Sequence, residues 1–161
     1  MLSRIKDFLK MDNKRKNRQM CSIYKTKTQY KIITIYSTDV GIYVANTPVF
    51  ILEITTDMEK INEAIWTCLN ASKKMNYKEY QRESINYLKL LKEPSLKKLY
   101  NNSKNCKLYI QDKKANIVPY KKSSDKGLEE VEKDTVVMDY SPEKELEITE
   151  KAIELLNKSY K

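Results

Sequence analysis

The chain has 161 residues, a length that fits one domain with one core, and 40% of them are apolar, in Leu, Ile and Val runs that exclude a disordered polymer. Its net charge of +9 sits at the front: residues 1–31 hold ten Lys/Arg against Asp7 and Asp12, while the remaining 130 residues hold 21 basic and 20 acidic side chains. No apolar run approaches the ~20 residues a membrane span needs, and Arg4, Lys6, Asp7 and Lys10 interrupt what would be the core of a secretory signal.

Residues 1–10 place Leu2, Ile5, Phe8 and Leu9 on one helical face and Arg4, Lys6 and Lys10 elsewhere. Residues 11–18 have no periodicity and read as a solvated linker. Together 1–18 form a basic N-terminal extension, and 19–161 form the domain. A first strand is predicted at 20–25 and a second at 29–37, the latter rich in β-branched and aromatic residues with apolar groups on both faces. Thr38, Asp39 and Gly41 then punctuate a turn into a strand at 42–45. Asn46-Thr47-Pro48 supplies another turn into a strand at 49–54, so the first half is an antiparallel meander. Thr56 or Asp57 can cap the following helix, whose Ile61, Ile65, Cys68 and Leu69 share one stripe, with Trp66 at the edge of the core.

Residues 72–103 read as two or three short polar helices interrupted at Pro94, which has no N–H and clashes with the preceding turn. Tyr77, Tyr80, Tyr87 and Tyr100 are either half-buried packing residues or a recognition surface. A hairpin follows. Cys106, Leu108 and Ile110 alternate with Lys107, Tyr109 and Gln111, and Ile117 and Pro119 alternate with Asn116, Val118 and Tyr120. Pro119 lacks a ladder donor, so it marks an edge, a bulge or the end of a strand. Residues 121–134 read as a long polar loop, 135–139 as one more strand, and Ser141-Pro142-Glu143 as the start of a last helix. Leu146, Thr149, Ile153 and Leu156 are its inner stripe, with Ala152 beside them. The predicted fold is a single α+β domain, a mainly antiparallel sheet packed by helices.

Catalytic patterns are scarce. The chain has no histidine, so the usual general base and the commonest metal ligand are missing from the sequence. Two glycines, Gly41 and Gly127, do not make a phosphate-binding loop. Cys21, Cys68 and Cys106 are odd in number, widely spaced and set in apolar contexts, which gives neither a disulfide framework nor a zinc motif. The expectation is a protein that is not an enzyme, needs no cofactor or metal, and works in the reducing cytoplasm.

In the order of its elements the chain resembles the immunity proteins of contact-dependent growth inhibition systems, over residues 21–157. The resemblance is carried by Ile61-Asn62-Glu63-Ala64-Ile65 with Leu69-Asn70-Ala71-Ser72 and Tyr80, by Tyr100-Asn101-Asn102-Ser103, by Cys106 opening an alternating strand, by Ile117-Val118-Pro119, and by Asp139 with Ser141-Pro142-Glu143. It departs from that pattern in its basic front, its overall positive charge and its glycine-poor loop around Gly127. The resemblance implies a small bacterial protein that binds the C-terminal domain of a cognate toxin, a nuclease for instance, and blocks its active site or access to it. The surface suggested for that partner is the set of outward aromatic and basic residues Tyr43, Tyr109, Tyr120, Lys121 and Lys122; a free strand edge could also pair with the partner's main chain. The alternatives are a nucleic-acid-binding module that uses the basic arm, which the near-neutral body disfavours, and an interaction protein with some other partner.

Overall fold

The computed structural model describes residues 18–83, 86–123 and 127–158. The predicted amphipathic segment and the linker up to residue 17 lie outside them. The described residues form one α+β domain around an eight-stranded sheet. Strand β1 (Gln19–Lys25) lies in the middle, β2 (Gln29–Thr38) and β3 (Tyr43–Glu53) extend it on one side, and β5 (Lys104–Gln111), β6 (Lys114–Lys122) and β7 (Leu128–Glu130) extend it on the other. Short β4 (Lys74–Met75) adds in parallel to the end of β2, and β8 (Val136–Asp139) pairs with β6; every pairing except β2–β4 is antiparallel. β2 is interior, as its two apolar faces require.

The meander departs from expectation at one place. Asn46-Thr47-Pro48 is not a turn, because β3 runs through it as a single strand. The register shifts between Ile33 and Thr34, so Thr47 and Pro48 form a bulge with a cis peptide bond between them. Thr34 Oγ1 donates to the Pro48 carbonyl at 2.8 Å, which holds the bulge to its neighbour. β3 is the terminal strand on its side, where a residue lacking an N–H is tolerated.

Pro119 meets the same constraint inside the sheet. Its carbonyl accepts from Val131 N at 2.8 Å, so the position of its missing N–H faces away from β5. On that side β8 pairs with Lys114–Ile117 and β7 with Tyr120–Lys122, and Pro119 falls in the gap between them. The predicted long loop is correspondingly shorter. β6 extends to Lys122, and residues 121–134 contain β7 and a 3-10 turn at Glu132–Asp134. Charged edge strands of three residues are hard to see in a sequence because they bury almost nothing.

One face of the sheet holds the main core. Cys21, Ile23, Ile32, Cys106, Leu108 and Ile117 meet helix α1 (Met58–Ala71) and the last helix, α5 (Glu145–Leu156). Asp57 caps α1 by accepting from Lys60 N at 2.9 Å. Trp66 is more than a rim residue: it is buried, stacks on Tyr140 at 5.3 Å, and donates from Nε1 to Thr149 Oγ1 and to the Glu145 carbonyl, each at 3.2 Å. The inner stripe of α5 is shifted from the predicted one. Thr149, Ala152, Ile153 and Leu156 are buried as expected, but Leu146 is 41% exposed and Ile148 is 0% exposed. The stripe centres on Ile148, Ala152 and Leu155, and Leu146 lies about 200° around the helix from Ile148.

The opposite face is only partly covered. Helix α2 (Tyr77–Glu83) buries no residue, whereas α3 (Tyr87–Leu90) and α4 (Leu96–Asn102) bring Leu91 and Leu99 onto Met20, Tyr24, Ile33 and Ile35. Pro94 separates the two, as predicted. Helix α3 ends with Lys92 at φ 55°, Lys92 N on the Lys89 carbonyl at 3.1 Å and Glu93 N on the Leu88 carbonyl at 2.9 Å, a Schellman closure that aims Glu93 back at the sheet. There Glu93 meets Lys31, which is 4% exposed and also donates to the Leu91 carbonyl at 2.7 Å. A buried ion pair thus fastens this cover to β2.

Candidate partner-binding face

The leucines of α3 and α4 pack over β1 and β2, and beyond them the outward Lys107, Tyr109, Gln111, Asn116 and Tyr120 of β5 and β6 remain half-exposed, while Asn105 and Val118 on the same face are buried. Register fixes which residues those are. Tyr109 lies opposite Met20 on one side and Asn116 on the other, Lys107 opposite Val118, and Asn105 opposite Tyr120. On β8, Val137 lies opposite Asn116 and is 59% exposed. The face is therefore aromatic, amide-rich and cationic, with one exposed aliphatic side chain at its margin.

Two cation–aromatic groups organise it. The guanidinium of Arg18 lies 4.4 Å from the Tyr109 ring centre, while its Nε donates to Gln111 Oε1 at 2.7 Å and its Nη1 to the Tyr43 hydroxyl at 3.2 Å. One planar fork thus ties Tyr43 of β3 to Tyr109 and Gln111 of β5, across the width of the central strands. In the second group Lys107 Nζ lies 4.7 Å from the Tyr120 ring centre, and the Tyr120 hydroxyl donates to Glu130 Oε1 at 3.1 Å. Each stacked cation contributes about 0.5–2 kcal/mol according to how far it is desolvated. Desolvation lowers the Lys107 pKa and the charge of Glu130 offsets part of that. Burial, followed by the Glu130 charge, raises the Tyr120 pKa, so this hydroxyl keeps its proton and stays a donor at neutral pH.

The five residues singled out in the sequence are thus only partly gathered. Tyr43 and Tyr109 meet through Arg18, and Tyr120 stands on the same face beside Lys107. Lys121 alternates to the other face and pairs with Glu129 Oε1 at 3.3 Å. Lys122 shares the register face of Tyr120 but lies at the end of β6, donating to Asn101 Oδ1. Sequence reasoning missed Arg18, assigned to the linker, and left Lys107, Gln111 and Glu130 out of the site. The signal for Lys107 and Gln111 was present, since both alternate with Tyr109. Arg18 gave none, because a basic residue before a strand is indistinguishable from its solvated neighbours.

Other surfaces carry less chemistry. All three thiols are in the core, where burial pushes Cys68 to about 11 and Cys106 to about 12 and raises Cys21 well above its ordinary value. Among the described residues no group of three His, Cys, Asp or Glu side chains could hold a metal ion, and no helix is long and apolar enough to cross a membrane.

No family profile matches the chain, and no characterised protein matches it in sequence. Solved structures do match its fold. A Neisseria meningitidis protein described as of unknown function superposes with a TM-score of 0.64 at 16% identity, over 86% of this chain and 95% of that one. A chain of a CdiA-CT/CdiI toxin and immunity complex from Yersinia pseudotuberculosis superposes with a TM-score of 0.59 at 10% identity, over 88% of this chain and 98% of that one.

Proposed function

We propose that this protein is an immunity protein of contact-dependent growth inhibition. It binds a cognate toxin domain in the cytoplasm of the cell it protects and neutralises it by covering the active site or the substrate's route there. The observation that carries this reading is the shared fold with a chain of a toxin and immunity complex, nearly end to end in both chains. Of the two roles in such a complex, the residues favour the binder. The chain has no histidine, its thiols are buried and protonated, and its half-exposed sheet face carries tyrosine and arginine, residue types enriched in protein–protein hot spots. The resemblance in sequence order implies a nuclease as the toxin.

The docking surface in this proposal is the outward face of β5 and β6, with Tyr43, Arg18 and Tyr109 at one end and Lys107, Tyr120 and Glu130 at the other. Stacking and hydrogen bonds hold these side chains before a partner arrives, so little rotamer entropy remains to be lost on association. An interface of standard size, about 1,600 Å² in total, extends past this face onto the helices or the strand edge. Lys121 and Lys122 would then act at its rim, through association rate more than affinity. The test is to express the C-terminal domain of a large toxin-like reading frame adjoining this gene and titrate it calorimetrically: stoichiometric binding supports the reading, and the lack of such a reading frame or of any heat of binding overturns it.

A further inference from the structure

The fold gathers charge that the sequence leaves dispersed. Residues 32–161 are balanced in charge, yet one end of the sheet collects Lys25 and Lys27 from the β1–β2 turn, Lys104 from the start of β5, Lys121 and Lys122 from the end of β6, and Lys158 beyond α5. These six lysines line two open grooves that adjoin through Asn101, Ser103 and Lys104, and among the described residues no carboxylate lines either groove. Their partners are mostly neutral. Lys25 donates to the Asn157 side chain, Lys104 to the Asn157 carbonyl at 3.5 Å, and Lys122 to the Asn101 side chain; among the described residues Lys121 alone of the six meets a carboxylate, that of Glu129. Among the described residues the charge at this end is therefore largely uncompensated by acids.

We propose that these grooves bind the phosphodiester backbone of a single-stranded nucleic acid. This goes beyond the toxin-binding reading and does not rest on it. Lysine charge with amide and hydroxyl groups between is the chemistry that contacts phosphate and sugar oxygens without reading sequence, and Asn102, Thr26 and Thr28 supply the neutral groups here. Tyr100 and Tyr120, both half-buried and the second with Lys107 over its ring, line the second groove and add aromatic surface for contact with bases. A bilayer or the apolar centre of a protein interface fits less well. Apart from the half-buried Ile54 and Leu128, one in each groove, no large apolar side chain among the described residues lines them, which is little for insertion or for a dry interface core.

The experiment is fluorescence anisotropy of a labelled oligouridylate titrated with the full-length protein at several salt concentrations. Binding is expected at low salt, with log K falling on log[salt] at a slope of about −3 to −4, the value for five or so neutralised phosphates on a single strand. Reversal of three exposed groove lysines (Lys27→Glu, Lys104→Glu, Lys122→Glu) is expected to weaken binding at least ~10-fold and to flatten the slope by about 2. The same number of reversals elsewhere (Lys74→Glu, Lys78→Glu, Lys89→Glu) changes net charge equally and is expected to cost less than about 3-fold. Neutralising the arm (Lys14→Gln, Arg15→Gln, Lys16→Gln) should leave the groove's contribution to the slope in place. Unchanged urea midpoints establish that each variant is folded, with the Gln versions of the groove set as substitutes where the Glu versions are not. The proposal is overturned by no binding at low salt, by equal losses in the groove and control sets, by loss of binding in the arm variant alone, or by phosphatidylserine vesicles competing as tightly as the oligonucleotide.

Discussion

Removing the Glu93 carboxylate should be among the most damaging single changes on the half-covered side of the sheet. Lys31 is 4% exposed and its side chain has two partners, the Glu93 carboxylate and the Leu91 carbonyl. Glu93→Ala leaves a buried ammonium with one neutral acceptor, and an uncompensated buried charge of this kind costs about 3–5 kcal/mol. Set against a typical stability of roughly 5–15 kcal/mol, that is about a fifth of the total or more, and a fall in Tm of roughly 10 °C for a domain of this size. Adding Lys31→Met removes the stranded charge and should restore part of the loss. Recovery stays incomplete because the Leu91 carbonyl then has no donor, a deficit of about 1–3 kcal/mol. The control is Glu154→Ala, which breaks the exposed Lys151–Glu154 pair and should cost under ~0.5 kcal/mol. Urea unfolding followed by far-UV circular dichroism measures all four proteins. A loss below ~1 kcal/mol in Glu93→Ala, or no recovery on adding Lys31→Met, would refute the view that a desolvated pair fastens α3 and α4 to β2.

The shifted stripe of α5 gives a paired test: Ile148→Ala should cost about 2–5 kcal/mol and Leu146→Ala well under 1 kcal/mol, the reverse of what the predicted stripe requires, and equal urea midpoints for the two would contradict the packing described. Alkaline pH should unfold the domain. The folded pKa values of Cys68 and Cys106 are raised to about 11 and about 12 from 9.0, so the folded state holds protons that the unfolded state releases, and this stability is fully present below about pH 8 and is lost as pH rises through 9 to 12. By pH 11 each thiol forfeits roughly 2–3 kcal/mol, and a urea midpoint unchanged between pH 8 and 11 would contradict their burial.

Strong periodicity was legible and weak or non-local signals were not. The strands 20–25 and 29–37 declared themselves as short runs buried on both faces, and the α1 stripe and the Cys106–Tyr120 hairpin by burial on every helical turn or about every second residue. The tight turn of that hairpin was visible only as a polar gap, since it places Asp112 and Lys113 at positive φ without a glycine to announce it. Pro48 misled for a related reason: Asn-Thr-Pro has turn chemistry, and only the register of β2 against β3 reveals it as a bulge. For the candidate face, alternation was enough to turn Tyr109 and Tyr120 outward. It could not separate Lys121 from Lys122, because a one-residue difference decides which face each occupies and the end of β6 was read as loop. Arg18 and Glu130 reach the face from distant parts of the chain, and the lysine grooves are assembled from four elements. Such groupings are properties of topology, not of any segment.

The proposed function requires that this fold bind a toxin domain through the Arg18–Tyr109 face. The most direct measurement is calorimetric titration of the neighbouring gene's toxin domain with the wild-type protein and with an Arg18→Ala/Tyr109→Ala variant. One-to-one binding by the wild type and at least ~10-fold weaker binding by the variant are expected, because paired aromatic and guanidinium anchors are truncated, with the urea midpoint shifted by no more than the lost stacking contact. Undiminished affinity in a folded variant would contradict the assigned face, and absence of binding by the wild type would contradict the function itself.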